Sequence, residues 1–269
     1  MKEVLLTNGV HIRLRDARWL KDAGIKVAIS LDGIGQTHDQ QRFMVNGQGS
    51  FALIEHTIDD VLLPLGIYPD ITLTITRWNA TGIADAVRWV LQRNLPLSLN
   101  FHRTNPNIQD PKSLELEEKA IIEGMKAAYA VFESYLPERP FLDGLLDRVQ
   151  TMAHTQTCGV DNNYVVITHE GELTQCQMTL GKAQGHVADG IALPELKDSF
   201  IHNVSVDDKE GCKTCPFRYR CSGGCPLETY RLTGRWDVKS PHCNIYKVLY
   251  PLALRLEGLR IMKVNGLLQ

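Results

Sequence analysis

One stretch decides how the carboxy-terminal half of this chain folds: Cys212-Lys213-Thr214-Cys215-Pro216-Phe217-Arg218-Tyr219-Arg220-Cys221-Ser222-Gly223-Gly224-Cys225. Two thiolates separated by two residues, as in Cys212 and Cys215, can turn inward on one metal centre because the backbone between them forms a tight loop. Gly223 and Gly224 allow the backbone to fold closely around a bulky inorganic core. The spacing therefore predicts a metal-binding loop over residues 212–225.

The cysteines are crowded into one part of the 269-residue chain. All seven lie between Cys158 and Cys243, and none precedes Cys158. In a reducing cytosol this crowding argues against disulfides, and an odd number would leave one thiol over. Seven ligands also exceed one closed four-ligand site by three. A second centre is therefore expected.

Thiolates bind both zinc and iron–sulfur clusters, so the ligand spacing has to separate the two. Two zinc ribbons would prefer eight Cys or His ligands at paired short spacings. This chain has a single CxxC pair, and Cys158 and Cys176 stand far apart. The spacing favours iron–sulfur clusters, with zinc sites and unligated structural thiols as the alternatives.

The amino-terminal half alternates short β-rich runs with helical patterns. Strands are predicted near residues 4–6, 27–31, 71–75 and 97–101. Helices are predicted over 14–23, over 51–65 with Ser50 as its cap, from Thr81, and over 113–135. Such alternation implies βα units and a parallel sheet, that is, an α/β fold. Because an eight-unit barrel needs about 250 residues, four units predict a partial barrel or an open sheet.

The pattern changes from about residue 145. Residues 164–174 indicate a β-hairpin whose turn contains Gly171, with Cys158 and Cys176 on either side. A loop-rich, cysteine-dense segment follows, and a helix is predicted over 245–261. We therefore expect two domains, at residues 1–145 and 146–269.

Composition excludes several function classes. The formal net charge of −2 gives no reason to expect nucleic-acid binding. No apolar stretch approaches the roughly 18 to 20 residues of a membrane span. The first residues contain too short an apolar run for a signal peptide. A cytoplasmic location is expected, without membrane or nucleic-acid partners.

The full cysteine pattern, Cys158-x12-Gly171-x4-Cys176, then Cys212-x2-Cys215-x5-Cys221-x3-Cys225, then Cys243, resembles the SPASM domain of radical S-adenosylmethionine (SAM) peptide and protein maturases. The resemblance covers about residues 145–250 and implies two auxiliary 4Fe–4S clusters. It implies that Cys158, Cys176 and Cys225 hold the first cluster. The second cluster would be fully ligated, by Cys212, Cys215, Cys221 and Cys243. His154 is a candidate for the fourth ligand of the first cluster, and a plain surface histidine is the alternative.

The amino-terminal half resembles the radical SAM barrel from its third strand to its sixth. The resemblance lies in Thr7-Asn8-Gly9, Ile29-Ser30-Leu31-Asp32-Gly33, His38-Asp39-x2-Arg42 and Gly47-x-Gly49-Ser50-Phe51. It implies that Ser30 and Asp32 line the SAM and substrate cavity. Arg42 would reach an anionic group such as the SAM carboxylate, and Asn79 is a further candidate. The alternatives are that Asp32-Gly33 simply makes a turn, that Asp39 caps a helix, and that Arg42 is solvated.

The chain departs from that family because residues 1–157 contain no cysteine, so the CxxxCxxC loop that holds the SAM-binding cluster is absent. The glycine-rich SAM-contact motif expected on the second strand is absent as well. We expect the chain alone to be inactive. The explanations are a fragment, which we favour, a gene split with a separately encoded amino-terminal half, or a decayed enzyme. Strands 27–31 and 71–75 are expected to be apolar on both faces, which would leave an open edge prone to aggregation.

The resemblance implies an enzyme that cleaves SAM to a 5′-deoxyadenosyl radical, which abstracts hydrogen from a peptide or protein substrate, with a separate reductant as partner. Sulfatase-maturing relatives carry an acidic residue directly after the second SPASM cysteine. Gln177 in that position argues against sulfatase maturation and favours peptide cross-linking or cyclisation. Glu228 and Tyr230 are candidates for proton handling, with packing as the alternative. The competing function is a non-catalytic electron-transfer or peptide-binding module. The catalytic residues, the bond formed and the oligomeric state do not follow from the sequence.

Overall fold

The computed structural model describes residues 2–104, 114, 116–147, 149–190 and 200–268, which divide into two units. We call the first the sheet unit; it contains the described residues of 1–102, 112–149 and 247–269. We call the second the cysteine unit; it contains the described residues of 103–111 and 150–246.

The sheet unit contains a four-stranded parallel sheet with the strand order β1-β2-β3-β4. The strands are β1 (Val4–Thr7), β2 (Lys26–Leu31), β3 (Asp70–Ile75) and β4 (Leu97–Phe101). Each strand lies where the sequence predicts it. The α/β class and the parallel sheet are therefore confirmed.

Helices connect these strands, as expected for βα units. They are α1 (Leu14–Asp22), α2 (Gly35–Asp39), α3 (Phe51–His56), α4 (Ile83–Gln92), α5 (Glu118–Ser134) and α6 (Leu142–Leu145). The helix predicted over 51–65 is present but changes its winding, because α3 continues as a π-helical segment, Thr57–Leu62, and a 3-10 turn, Leu63–Leu65. The helix predicted from Thr81 starts as the 3-10 turn Ala80–Gly82. The start of the helix predicted over 113–135 lies outside the described residues.

Ser50 does not cap α3, contrary to the prediction. Its hydroxyl donates to the Arg42 carbonyl at 2.6 Å. The Asp39 carboxylate accepts the amide hydrogens of both Ser50 and Phe51, each at 2.8 Å. Asp39 therefore caps α3 from a distant position in the sequence. This agrees with the alternative that Asp39 caps a helix.

The two faces of the parallel sheet differ in polarity. One face is apolar and almost fully buried, with Ile29, Ile71 and Ile75 each 0% exposed. On the opposite face Thr72 lies between Ser30 and Ser98 in register, and all three are half-buried. The expectation that strands 27–31 and 71–75 are apolar on both faces was therefore wrong, because residues of β3 alternate strictly between the two environments.

The cysteine unit contains a small antiparallel sheet in the order β5-β6-β7. Its strands are β5 (Val166–Ile167), β6 (Glu172–Thr174) and β7 (Gly185–His186), with 3-10 turns at Gln177–Thr179 and Val187–Asp189. The predicted hairpin is confirmed by the pairing of β5 with β6, and Gly171 in its turn has a φ of +89°. The third strand was not predicted.

The described residues after 200 form three further helices: α7 (Arg218–Cys221), α8 (Pro226–Thr233) and α9 (Cys243–Val264). The helix α8 was not predicted, whereas α9 agrees with the prediction over 245–261. Residues of α9 from 247 onward group with the sheet unit instead of the second domain expected over 146–269. Side-chain contacts explain this, because Arg255 pairs with Glu133 at 2.6 Å and Lys263 donates to the Leu136 carbonyl at 2.7 Å. No helix among the described residues has the length and apolar character needed to cross a membrane.

Candidate iron-sulfur centres

The metal-binding loop predicted over 212–225 is built from tight turns. The Cys212 amide donates to the Lys209 carbonyl at 3.1 Å, and the Cys215 amide donates to the Cys212 carbonyl at 2.8 Å. After α7, three consecutive residues are left-handed: Ser222, Gly223 and Gly224, with φ of +45°, +78° and +74°. The Gly224 amide donates to the Cys221 carbonyl at 3.0 Å, so the chain reverses sharply just before Cys225.

Gly223 also allows a close approach that a larger residue would block. A Cβ at this position would lie 2.8 Å from Cδ of Lys209 and 3.4 Å from Sγ of Cys212. The glycine therefore admits the side chains of Lys209 and Cys212 to the concave side of the loop. The sequence indicated the need for small residues here, but it did not indicate the lysine.

The thiols of Cys212, Cys215, Cys221 and Cys243 form one electrostatically coupled group, which we call the four-thiol group. Burial, together with neighbouring Cys221, Cys243 and Cys215, raises the pKa of Cys212 to about 11, and Lys209 opposes this increase. Burial likewise raises the pKa of Cys221, and Cys243 and Cys215 act in the same direction. These are the four residues that the resemblance assigns to the second cluster.

The remaining three thiols share another location. Cys158, Cys176 and Cys225, which we call the three-thiol group, pack against one small buried core in the cysteine unit. That core consists of Val160, Ile201 and Leu227. The chain around Cys158 is held by Asn203, whose amide donates to the Cys158 carbonyl at 2.8 Å.

The described residues contain no ready-made site for a single metal ion. Among the residues that the structure describes, no group of three or more His, Cys, Asp or Glu side chains is close enough to hold one ion. With Zn–S bonds near 2.3 Å, tetrahedral zinc would require sulfurs within about 4 Å of one another. A four-iron core is larger, so its thiolates stand further apart.

Lys209 is a fully buried cation beside both thiol groups. Its side chain is 0% exposed, and Nζ donates to the Ser222 carbonyl at 3.0 Å. Burial lowers the pKa of Lys209, while the charges of four cysteines raise it. Those four cysteines are Cys212, Cys221, Cys225 and Cys158.

The structure places His154 beside the left-handed turn of the loop. Its carbonyl accepts the Ser222 hydroxyl at 2.7 Å. Its Nδ1 lies 3.0 Å from the Met152 carbonyl and therefore carries the ring proton. The buried Nε2 makes no hydrogen bond among the described residues, so its lone pair is available.

Glu228 and Tyr230, the candidates for proton handling, both lie on α8 and make structural contacts. The Glu228 carboxylate accepts the Thr104 amide at 3.0 Å. Burial would raise the pKa of Glu228, but hydrogen bonds from His242 and Thr104 hold it below its usual value. The Tyr230 ring stacks on Trp236 with centroids 4.1 Å apart. These contacts favour the packing alternative for both residues.

The predicted SAM-contact residues lie at the carboxyl end of β2, in the sheet unit. Ser30 is half-buried on the polar face of the sheet. The Arg42 guanidinium donates to both carboxylate oxygens of Asp32, at 2.7 and 3.2 Å, so the two residues hold each other. The Asn79 amide donates to the carbonyls of Asp32 and Thr74, at 2.8 and 2.7 Å, which gives it a structural role.

A cleft of about 640 Å³ lies next to Arg42, but Ser30, Asp32 and Asn79 are not among the residues that line it. Arg42, Asn8 and His38 line it together with apolar side chains such as Phe43 and Ile54. Arg42 therefore borders a space large enough for a ligand, and its ion pair with Asp32 fixes the orientation of its guanidinium group.

Comparisons with known proteins give a consistent fold but no family. No family model matches the chain. An uncharacterized protein of Archaeoglobus fulgidus is 24% identical over 259 residues, and the match covers 90% of this chain and 60% of that protein. The chain thus spans less than two thirds of the curated relative it matches.

Solved structures of anSMEcpe, an anaerobic sulfatase-maturating radical SAM enzyme, have the same fold. The structure with bound AdoMet and the Cp18Cys peptide gives a TM-score of 0.74 at 18% identity, covering 96% of this chain and 76% of that one. The structure with bound AdoMet alone gives 0.75 at 19% identity, with coverages of 96% and 75%. At this identity the likeness shows that the chain shares the fold of these structures and nothing more.

Proposed function

We propose that this chain is the carboxy-terminal portion of a radical SAM maturase that modifies a peptide or protein, with two auxiliary 4Fe–4S clusters on its seven cysteines. The observation that carries this proposal is the division of the thiols. The four-thiol and three-thiol groups contain the same residues that the SPASM resemblance assigns to the two clusters.

The donor set supports iron–sulfur clusters over zinc. All seven candidate ligands are thiols, and none of them forms a disulfide. Three thiols leave one position of the first cluster for another ligand, and the free lone pair of His154 Nε2 makes it the candidate.

The chain itself supplies a buried positive charge and the turn geometry for these clusters. When bound, such clusters supply one-electron redox chemistry or, at an open iron, a position for substrate. Gly223 and Gly224 would let the backbone approach a cluster closely. The buried Thr157 hydroxyl donates to the Gly224 carbonyl at 2.6 Å. This hydrogen bond holds the turn of the metal-binding loop at Gly224.

The sheet unit would contribute to SAM binding in the complete enzyme. We propose that Ser30 and the Asp32–Arg42 pair meet SAM at the carboxyl ends of the strands, where α/β barrels place their ligands. A CxxxCxxC segment outside this sequence is required, either on a longer chain or on a separately encoded half. The bound AdoMet in the anSMEcpe structures supports this proposal.

A peptide or protein is the proposed substrate, and the peptide in the anSMEcpe structure supports this class. In this proposal Gln177 argues against sulfatase maturation, because an amide does not take up a proton as an acidic residue does. Gln177 is exposed at the start of a 3-10 turn directly after Cys176. Cross-linking or cyclisation of a peptide is therefore the preferred reaction.

The test is SAM cleavage in a completed protein. The chain would be produced anaerobically with an upstream segment that carries CxxxCxxC, and 5′-deoxyadenosine would be measured with dithionite as the reductant. We expect 5′-deoxyadenosine from the completed protein and none from the chain alone. If a completed, iron-loaded protein neither binds nor cleaves SAM, the proposal is wrong.

One observation favours a second function. Residues 1–157 contain no cysteine, so this chain by itself cannot build a SAM-binding cluster. A non-catalytic electron-transfer or peptide-binding module would bind iron and sulfide yet show no SAM affinity when completed, and the same experiment separates the two functions.

A further inference from the structure

Lys209 is unusual because charged side chains are almost never fully buried without a partner. Its side chain is 0% exposed within the cysteine unit. An ammonium group has three hydrogen-bond donors. Among the described residues, Nζ makes one hydrogen bond, to the neutral Ser222 carbonyl at 3.0 Å.

Cysteines are the ionisable neighbours of this ammonium group. The groups that act to raise the pKa of Lys209 are Cys212, Cys221, Cys225 and Cys158. The first two belong to the four-thiol group, and the last two belong to the three-thiol group. Lys209 therefore lies within electrostatic reach of both groups at once.

The backbone supports the same position. Nζ is bound to the carbonyl of Ser222, the residue that directly follows Cys221 and precedes Cys225 by three positions. That carbonyl also lies 3.1 Å from Oγ1 of Thr157, the residue before Cys158, whose hydroxyl donates to the Gly224 carbonyl at 2.6 Å. Lys209 is thus hydrogen-bonded to the turn between Cys221 and Cys225, which belong to different thiol groups.

Neutral thiols would leave this buried ammonium without a counter-charge. Thiols that ligate iron are thiolates, and an iron–sulfur core with its thiolates is anionic, with one more negative charge after each one-electron reduction. A fixed cation nearby favours the more negative, reduced state, because opposite charges attract strongly where water is excluded.

We propose that Lys209 is a positioning residue that places one positive charge between the two clusters and raises the reduction potential of both. This inference rests on the proposed function, because it requires both clusters.

The test is redox titration of the anaerobically loaded protein, followed by electron paramagnetic resonance, in the wild type and in Lys209→Gln. Glutamine removes the charge but keeps a hydrogen-bond donor. We expect both midpoint potentials to shift to more negative values in Lys209→Gln and to remain closer to the wild type in Lys209→Arg. The matched control is Lys239→Gln, because Lys239 is exposed and lies outside the metal-binding loop while its side chain approaches Gly211, and it should shift neither potential.

The outcomes separate this inference from the proposed function. A wild-type protein without two clusters contradicts both. Two clusters whose potentials are unchanged in Lys209→Gln contradict the inference alone, and a shift of only one cluster contradicts the shared position. If Lys209→Gln fails to load iron, the wild type with ¹⁵N-labelled lysine side chains decides. Coupling of a lysine nitrogen to both reduced clusters is expected, and its absence from either overturns the inference.

Discussion

The sheet unit and the cysteine unit are stabilised in different ways. In the sheet unit one face of a parallel sheet is packed so closely that Ile29, Ile71 and Ile75 are each 0% exposed. In the cysteine unit the strands have two or three residues. The core beside the three-thiol group contains Val160, Ile201 and Leu227.

This difference indicates where each unit obtains its stability. Burial of apolar side chains is sufficient for the sheet unit, because each fully buried aliphatic side chain contributes roughly 1.5–3 kcal/mol. The cysteine unit places thiols and a buried ammonium where a chain of this size would need apolar side chains. We infer that the inorganic clusters supply the missing stability, as structural metals do in small metalloproteins.

Removal of the clusters should produce the largest effect. Structural metal binding contributes on the order of 10 kcal/mol in small domains. We therefore expect chelation of iron to abolish amide hydrogen-exchange protection in the cysteine unit while residues 27–31 and 71–75 of the sheet unit stay protected. Equal loss of protection in both units, or none in either, would contradict the comparison.

Leu73→Ala should produce the next largest effect, and it should act on the sheet unit. Leu73 is 1% exposed, and deletion of such a buried side chain reduces the free energy of unfolding by about 2–5 kcal/mol. The neighbouring Thr72→Ala, on the polar face, is the control and should change it by about 0.5 kcal/mol or less. Denaturant unfolding measures both. Comparable effects of the two substitutions would show that the faces do not differ as described.

Gly223→Ala should affect the cysteine unit through a steric clash. A left-handed conformation costs a non-glycine residue about 1–2 kcal/mol, and here the new Cβ would also lie 2.8 Å from Cδ of Lys209. Gly234→Ala is the matched control, because Gly234 has a similar φ of +72° but open space around its Cα. Iron content per chain should fall in Gly223→Ala and remain unchanged in Gly234→Ala. A normal iron content in Gly223→Ala would mean that the approach of Lys209 and Cys212 is not needed.

Asp39→Ala should have a smaller effect on the sheet unit. The substitution removes the acceptor of two amide hydrogens at the start of α3 and should reduce the free energy of unfolding by about 1 kcal/mol. Asp39→Asn keeps an oxygen acceptor and should lose less. Thermal unfolding of the two variants measures this, and equal losses would indicate that charge rather than capping is responsible.

His38 should give the smallest effect, visible only in the pH dependence of stability. Its Nδ1 accepts the Asp32 amide at 3.2 Å, and Nε2 lies 3.0 Å from the Ser50 hydroxyl, which suits a neutral ring. Burial lowers its pKa below 6.5, Asp32 and Asp39 oppose this, and Arg42 adds to it. The unfolded state therefore binds the proton more readily.

The stability that the neutral His38 ring contributes is present above pH 6.5 and is lost as the pH falls below that value. The difference in free energy of unfolding between wild type and His38→Gln should therefore narrow as the pH decreases through this range. A difference that is constant with pH would show that His38 does not titrate in the expected direction.

The sheet unit was the more predictable of the two, because its strands and helices follow from hydrophobic periodicity. Even there, local pattern did not reveal that Asp39 would cap α3 in place of Ser50, since this contact joins residues 11 and 12 positions apart. The polar face of the sheet was not predicted either, because the run Val27 to Leu31 is apolar on average and only its alternate residues differ in burial.

In the cysteine unit the ligands were predictable and their surroundings were not. Cysteine spacing identified all seven candidates, because such a pattern is rare in ordinary sequences. Lys209 gave no signal, since a lysine three residues before a cysteine is ordinary until its burial is known. The stack of Tyr230 on Trp236 and the strand β7 likewise depend on contacts between distant segments.

The central claim is that the seven thiols hold two four-iron clusters, and metal analysis of the anaerobically prepared chain tests it most directly. Iron, acid-labile sulfide and zinc would be measured per chain, with Mössbauer spectroscopy to identify the iron species. We predict about eight iron and eight sulfide per chain, as two 4Fe–4S clusters require. A colourless protein that contains zinc and no sulfide would contradict the account.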